Sequence, residues 1–180
     1  MRDNSFEIRR CSRRNAIAAA GAGVAVATLG AAPAAAQSKV AKEAFHLGVP
    51  WEDQYGYAQA VKVGDTIYVS GQLSHDDEGK MIAPPPLDPA GKIADYGKMG
   101  PQMAQSYANV KKVLAAFGAT MDDIVEEVIY VTDMDAAFAV AGEVRAAAYG
   151  GRPVVASTIL VTPRLALPEQ LIEIKVIAKV

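Results

Sequence analysis

Between Tyr57 and Ala178 the sequence predicts an α+β domain, a mixed β-sheet with two helices on one face. Three observations lead there. Segments 57–63 and 66–71 alternate in polarity around Gly64-Asp65, a pair with the permissive backbone of a hairpin turn. Segments 102–117 and 135–149 read as helices, each stopped by glycine. Leu171-Ile-Glu-Ile-Lys-Val-Ile-Ala178 places Ile172, Ile174 and Val176 on one strand face and Glu173 and Lys175 on the other.

Taken in order, residues 37–47 mix Ala, Lys and Glu without strong periodicity, and Trp51 to Gln54 are polar enough for an approach loop. The hairpin of 57–63 and 66–71 follows. Residues 74–101 carry His75-Asp-Asp-Glu-Gly79, Pro84-Pro-Pro86 and Gly100-Pro101, a punctuated loop long enough to border a site or an oligomer contact. In 102–117, Met103, Tyr107, Val110, Leu114 and Phe117 recur at helical intervals before Gly118. Such a stripe is core packing rather than a ligand pocket. Residues 124–132 are β-rich, and the acids Asp122, Asp123, Glu126 and Glu127 read as a solvated edge rather than paired general acids. The helix 135–149 has Asp133 or Asp135 as its cap and Gly150-Gly151 as its stop. Strands at 155–161 and 171–177 close the domain, separated by a loop from Pro163 to Pro168. Two helices cover one face only, so the other face invites self-association.

Residues 1–36 read as a targeting segment. Ser12-Arg13-Arg14-Asn15-Ala16-Ile17 resembles a twin-arginine export motif, and an Ala/Gly/Val run over 16–32 leads to Ala34-Ala35-Ala36, a small-residue cleavage pattern before Gln37. The run is too poor in Leu and Ile for a good membrane span. The expectation is an exported, periplasmic domain of residues 37–180 with no stable membrane anchor after processing. The single cysteine, Cys11, would leave with the leader, which excludes a cysteine nucleophile or a disulfide in the mature chain. The leader also takes five arginines and two acids. Of 18 basic and 20 acidic residues, 13 and 18 then remain, a net charge of about −5. That balance, with no basic stripe interleaved with aromatics, argues against nucleic acid as a partner. His46 and His75 have no His or Cys at metal-ligand spacing, so no metal is expected.

Read from spacing alone, Glu173 belongs to a solvated face or pairs with Lys175, about 6.6 Å along the strand. A wider pattern changes that reading. Tyr57, the Val63-Gly64-Asp65 turn, Ser70-Gly71-Gln72, Val128-Ile-Tyr-Val-Thr-Asp-Met134 and Ile172-Glu-Ile174 stand in an order and spacing that resembles the Rid/YjgF family of enamine and imine deaminases. The resemblance covers most of the chain from Tyr57 to Ala178. It implies a chorismate-mutase-like fold, a homotrimer with clefts between subunits, a small-molecule ligand, and neither cofactor nor metal. It also implies that Glu173 is the catalytic, water-positioning residue, that Tyr57 and Ser70 line the cleft, and that Gly71 permits close backbone approach. The family's carboxylate-binding arginine has its counterpart at Ala156 when Pro153-Val-Val-Ala-Ser-Thr158 is aligned on Ser157, and Gly142 stands near a position where many relatives carry Asn. Two functions follow. One is hydrolysis of reactive imines to carbonyl products and ammonia, with the loop cations Arg152 or Arg164 as substitute clamps. The other is a non-catalytic periplasmic trimer that binds a small molecule or serves a structural role, because a cleft without a guanidinium loses its bidentate grip on a carboxylate.

Overall fold

A computed structural model describes residues 39–180, so the expected leader and its cleavage site lie outside the described residues. The strands are β1 (Glu43–Phe45), β2 (Ala60–Val63), β3 (Thr66–Gln72), β4 (Ile124–Val131), β5 (Ala156–Val161) and β6 (Ile172–Lys179). The helices are α1 (Pro50–Tyr55), α2 (Met99–Ala115) and α3 (Met134–Tyr149), with a 3-10 turn at Met121–Asp123. One sheet has the order β1-β2-β3-β6-β4-β5, antiparallel except for the β4/β5 pair. The mixed sheet with its two long helices on one face is thus the expected fold.

The β2/β3 hairpin turns at Gly64-Asp65, with Val63 opposite Thr66 and Gly64 at φ +59°. Both long helices close as expected, α2 running into Gly118 at φ +71° and α3 capped by Gly150 at φ +72°. At the start of α3, the Asp133 carboxylate accepts the Ala136 N–H at 2.8 Å. Met103, Tyr107, Val110 and Leu114 of α2 are all buried against Ile67, Ile129, Ile174 and Val176 of the sheet. Each aliphatic side chain buried this way contributes on the order of 1.5–3 kcal/mol.

Five expectations are corrected. The stretch 37–47 contains β1, which pairs with β2 through Ala44 opposite Val61. Trp51 to Gln54 lie in α1, not in a loop: Pro50 supplies a fixed φ at the first position and Gly56 a left-handed end. Tyr57 does not open a strand, since β2 begins at Ala60, and α2 starts three residues earlier than expected. The acids before and within β4 are not all a solvated edge. Glu127 is fully buried on the helix-covered face, where it accepts hydrogen bonds from the Tyr107 and Tyr149 hydroxyls at 2.9 Å each and pairs with Arg145. Burial first, and then the Glu127 charge, raises both phenols well above their ordinary range, so they remain donors.

The long loop before α2 is built from two similar turns. In Asp76-Asp-Glu-Gly-Lys80 and Asp88-Pro-Ala-Gly-Lys92 the leading aspartate Oδ1 accepts the N–H groups two and four residues on, at 2.8–3.1 Å. Buried polar groups of α2 then tie this loop down. Asn109 Nδ2 donates to the Leu73 and His75 carbonyls, and Gln102 donates to those of Ala83 and Glu169 while accepting the Leu171 N–H. The face of the sheet away from α2 and α3 has no helix on it among the described long helices. Val61, Tyr68 and Ile177 are cross-strand partners along it, and Tyr68 is 47% exposed.

Candidate functional site

The candidate site forms on that second face, where β3 departs from regular pairing. Val69 faces Val176 and Gln72 faces Ile174, so three residues of β3 span two of β6 and one extra residue sits in a bulge. Val69 and Gln72 are both buried, which leaves Ser70 and Gly71 together on the side where Glu173 emerges. Regular alternation would have turned Gly71 inward. The bulge instead brings its backbone against the Glu173 carboxylate.

The approach is so close that only glycine fits. A Cβ at residue 71 would stand 2.0 Å from Glu173 Oε1 and 2.4 Å from Cδ. The carboxylate is held from its other side by Gln170, whose Nε2 donates to Glu173 Oε2 at 3.1 Å and to the Ile172 carbonyl at 3.2 Å. Oε1 accepts no hydrogen bond from the described residues. Gln170 is itself buried, and Gln102 fixes the backbone on both sides of it through Glu169 and Leu171. A chain of polar contacts from the core helix therefore sets the catalytic candidate. Gln170 and Gln102 were missed by sequence reasoning; a glutamine inside the apolar approach to β6 was the available signal.

Around Glu173 lies a cleft of about 560 Å³. Trp51, Gln54 and Tyr55 of α1 line it together with Tyr57, Leu73, Ala166 and Leu167. The helix missed in the sequence is thus a wall of the site. Glu52 anchors it: its carboxylate accepts the Leu47 and Gly48 N–H groups at 2.9 Å each. Burial alone would raise the Glu52 pKa, but the Leu47, Gln59 and Gly48 hydrogen bonds and nearby His46 outweigh it and the pKa is lowered. Trp51 is seated edge-on to the His75 ring, 5.2 Å between centroids, and its ring fills the space where a Cβ on Gly79 would lie at 2.8 Å. The Tyr57 hydroxyl accepts a long hydrogen bond from Gln59 Nε2 at 3.4 Å. Burial, with the charges of Glu52 and Glu173, raises its pKa, so the phenol stays protonated and can donate. Ser70 differs in kind. Its hydroxyl donates to the Ala58 carbonyl at 2.8 Å and braces the wall.

Of the expected site residues, Glu173, Tyr57, Ser70 and Gly71 come together and Ala156 does not. Ala156 begins β5 and is opposite Glu126, which is opposite Ile177, four residues along β6 from Glu173. Two strand spacings and four residues separate the positions by roughly 16 Å on the same face. Even an arginine there could not reach this cleft within one protomer. Arg152 and Arg164 line other depressions, beside Tyr149 and Pro153 and beside Tyr96 and Thr132 respectively. Gly142 lies on α3, with nothing within 4 Å of an added Cβ.

Residues 52–180 match the family model described as Endoribonuclease L-PSP. A RutC family protein of Saccharolobus solfataricus is 34% identical over 125 residues, 68% of this chain and 86% of its own length. A 2-iminobutanoate/2-iminopropanoate deaminase of Dermatophagoides farinae is 32% identical over 79 residues, 44% of this chain. That match spans 52% of the deaminase, and the chain spans about half the length of several other curated relatives. Among solved structures, a YjgF family member of Mycobacterium tuberculosis superposes with a TM-score of 0.60 at 28% identity, covering 78% of this chain and 100% of that one.

Proposed function

The chain belongs to the Endoribonuclease L-PSP family, which includes the YjgF, RutC and Rid proteins, and from that premise we propose that it hydrolyses reactive imines to carbonyl products and ammonia in the Glu173 cleft. The observation that carries the proposal is the seating of Glu173, held on Oε2 by Gln170, free on Oε1 and packed on a bulged glycine.

Protonated imines are electrophilic at carbon, so the protein has to orient a water and move one proton. Water held by Oε1 adds to that carbon, the C=N electron pair withdraws to nitrogen, and Glu173 takes the proton released by the water. Returning it to nitrogen makes an ammonium leaving group. The carbon–nitrogen bond then breaks as the hydroxyl collapses to a carbonyl and gives its proton to Glu173, by then again a carboxylate. The neutral Tyr57 phenol is a donor for the oxygen that develops charge.

A nuclease reading is not favoured, because no Lys, Arg or His is among the residues that line the cleft to oppose a phosphate. The same feature favours the non-catalytic small-molecule binder as the second reading. Self-association into a homotrimer, motivated by the uncovered sheet face, and export through the twin-arginine-like leader complete the proposal. Release of ammonia and carbonyl product from freshly generated imines, with and without a carboxylate, compared between the full chain and Glu173→Gln, tests the chemistry. Turnover that survives Glu173→Gln sinks it, and no turnover at all favours the binder.

A further inference from the structure

We propose that the Glu173 cleft selects cationic ligands, namely iminium or ammonium compounds with an aromatic or other apolar substituent and no carboxylate. The inference rests on the hydrolysis reading for its substrate class and names which imines that site takes. Three observations converge on it. Among the described residues of one protomer, the only charged residue lining the cleft is an acid, Glu173. The nearest cation along its strand, Lys175, is solvent-exposed and is not part of the lining, and the arginines of the neighbouring loops line other depressions. Trp51, Tyr55 and Tyr57 supply three aromatic rings to the cleft that holds that acid, and Leu73 and Leu167 add apolar surface.

A carboxylate close to aromatic rings attracts a cation twice over, through the charge and through the negative faces of the rings. An anionic 2-imino acid meets the reverse. Its carboxylate would approach Glu173 with no guanidinium to receive it, and like charges at that range are repulsive. The free Oε1 and the protonated Tyr57 hydroxyl offer one acceptor and one donor at the charged end, and the leucines suit an apolar remainder.

Trp51 is the only tryptophan of the chain and lines the cleft, so its fluorescence reports occupancy directly. The probes are benzamidine, whose planar amidinium resembles an aryl iminium, and benzoate, which has the same shape and the opposite charge. Benzamidine is expected to change the emission of the full chain saturably, and benzoate to bind at least about tenfold more weakly. Glu173→Gln should reduce benzamidine affinity about tenfold or more. Tyr55→Ala, on an exposed side chain whose loss leaves the core untouched, should reduce it about threefold. Leu167→Arg should move the preference towards benzoate. No saturable response to benzamidine, or benzoate binding as tightly as benzamidine, overturns the inference. Parallel imine assays separate the two readings. Glu173-dependent hydrolysis of 2-iminopropanoate alongside benzoate preference would remove the cation selectivity and keep the chemistry, whereas benzamidine binding without turnover of any imine would keep the selectivity and remove the chemistry.

Discussion

Gly71→Ala should abolish the proposed activity while leaving the fold almost untouched. Gly71 is not in the left-handed region, so alanine meets no backbone strain there. The obstacle is the Glu173 side chain, which would lie 2.0 Å, 2.4 Å and 2.7 Å from the new Cβ at its Oε1, Cδ and Cγ. A side chain can swing away, and the stability cost of that is limited. Losing the Gln170 hydrogen bond costs about 1 kcal/mol and an unfavourable rotamer about 1 kcal/mol, offset by up to about 1 kcal/mol from replacing glycine within a strand. The net change of about 1 kcal/mol corresponds to a fall in Tm of about 2–4 °C. Catalysis has no such latitude: displacing the proton-transfer group should lower kcat/KM by about 10²–10⁴. Gly118→Ala is the converse control, with φ +71° and open space around the Cβ, far along the chain from the lining residues. It should cost about 1–2 kcal/mol of stability and leave kcat/KM unchanged. Calorimetric melting and ammonia release on both variants decide the matter, and a Gly71→Ala protein with wild-type turnover would refute the seating argument.

Glu127→Ala strands two phenols and a guanidinium under α2 and α3, so urea unfolding should show a loss of about 3–5 kcal/mol, against about 1–3 kcal/mol for Tyr107→Phe; an Ala variant within 1 kcal/mol of wild type contradicts the cluster's role. Glu52 has a lowered folded pKa, so its contribution is fully present above its unfolded value near 4.5 and fades as pH falls through the folded value. The Tm gap between wild type and Glu52→Gln should accordingly be constant near neutrality and close below about pH 4.5; a gap that widens in acid reverses the sign of the argument. Raised pKa values at Tyr57, Tyr107 and Tyr149 work on the other side, with stability intact below the unfolded value near 10 and lost as pH rises beyond it. Ultraviolet titration should find these phenols ionising above pH 10 and with unfolding, and their free ionisation in the native protein speaks against their burial. For assembly and export, sedimentation of residues 37–180 should give about three times their mass rather than a concentration-independent monomer, and Arg13→Lys with Arg14→Lys should leave unprocessed precursor in the cytoplasm.

Periodicity makes most of the scaffold legible in the sequence. The α2 stripe and the alternation around Glu173 each encode a burial pattern in a local repeat, and the repeat survives folding. The parts that escaped lack such a repeat. Six residues of α1 are too short for a helical stripe, and its one buried member, Glu52, is an acid whose partners are backbone N–H groups five and four residues earlier. Glu127 was misplaced for a related reason. Among four acids nothing local distinguishes the one that points under α2, because Tyr107, Arg145 and Tyr149 reach it from two other elements. The bulge is also non-local, since it is defined by what β6 places opposite β3. Resemblance supplied Glu173, Tyr57, Ser70 and Gly71, whereas geometry supplied Gln170, Gln102 and Trp51.

The two faces of the sheet divide the work by polarity. On the inner face Glu127 is enclosed by a cation and two donors, so its charge is satisfied and its role is to fix α2, α3 and β4 together. On the outer face Glu173 has one donor on one oxygen and a glycine in place of a second wall. Two carboxylates in neighbouring antiparallel strands thus differ because one has its hydrogen-bonding capacity met by protein and the other does not. A group left open within a cleft is available to a ligand, and the aromatic and apolar walls determine which one. Ala156, roughly 16 Å away on the same face, cannot alter that choice within its own protomer. Ala156→Arg should therefore change benzamidine or benzoate binding only if the proposed oligomer brings β5 of a neighbouring copy to the cleft; an effect that persists in a species sedimenting as monomer would show that the sheet register does not separate the two positions.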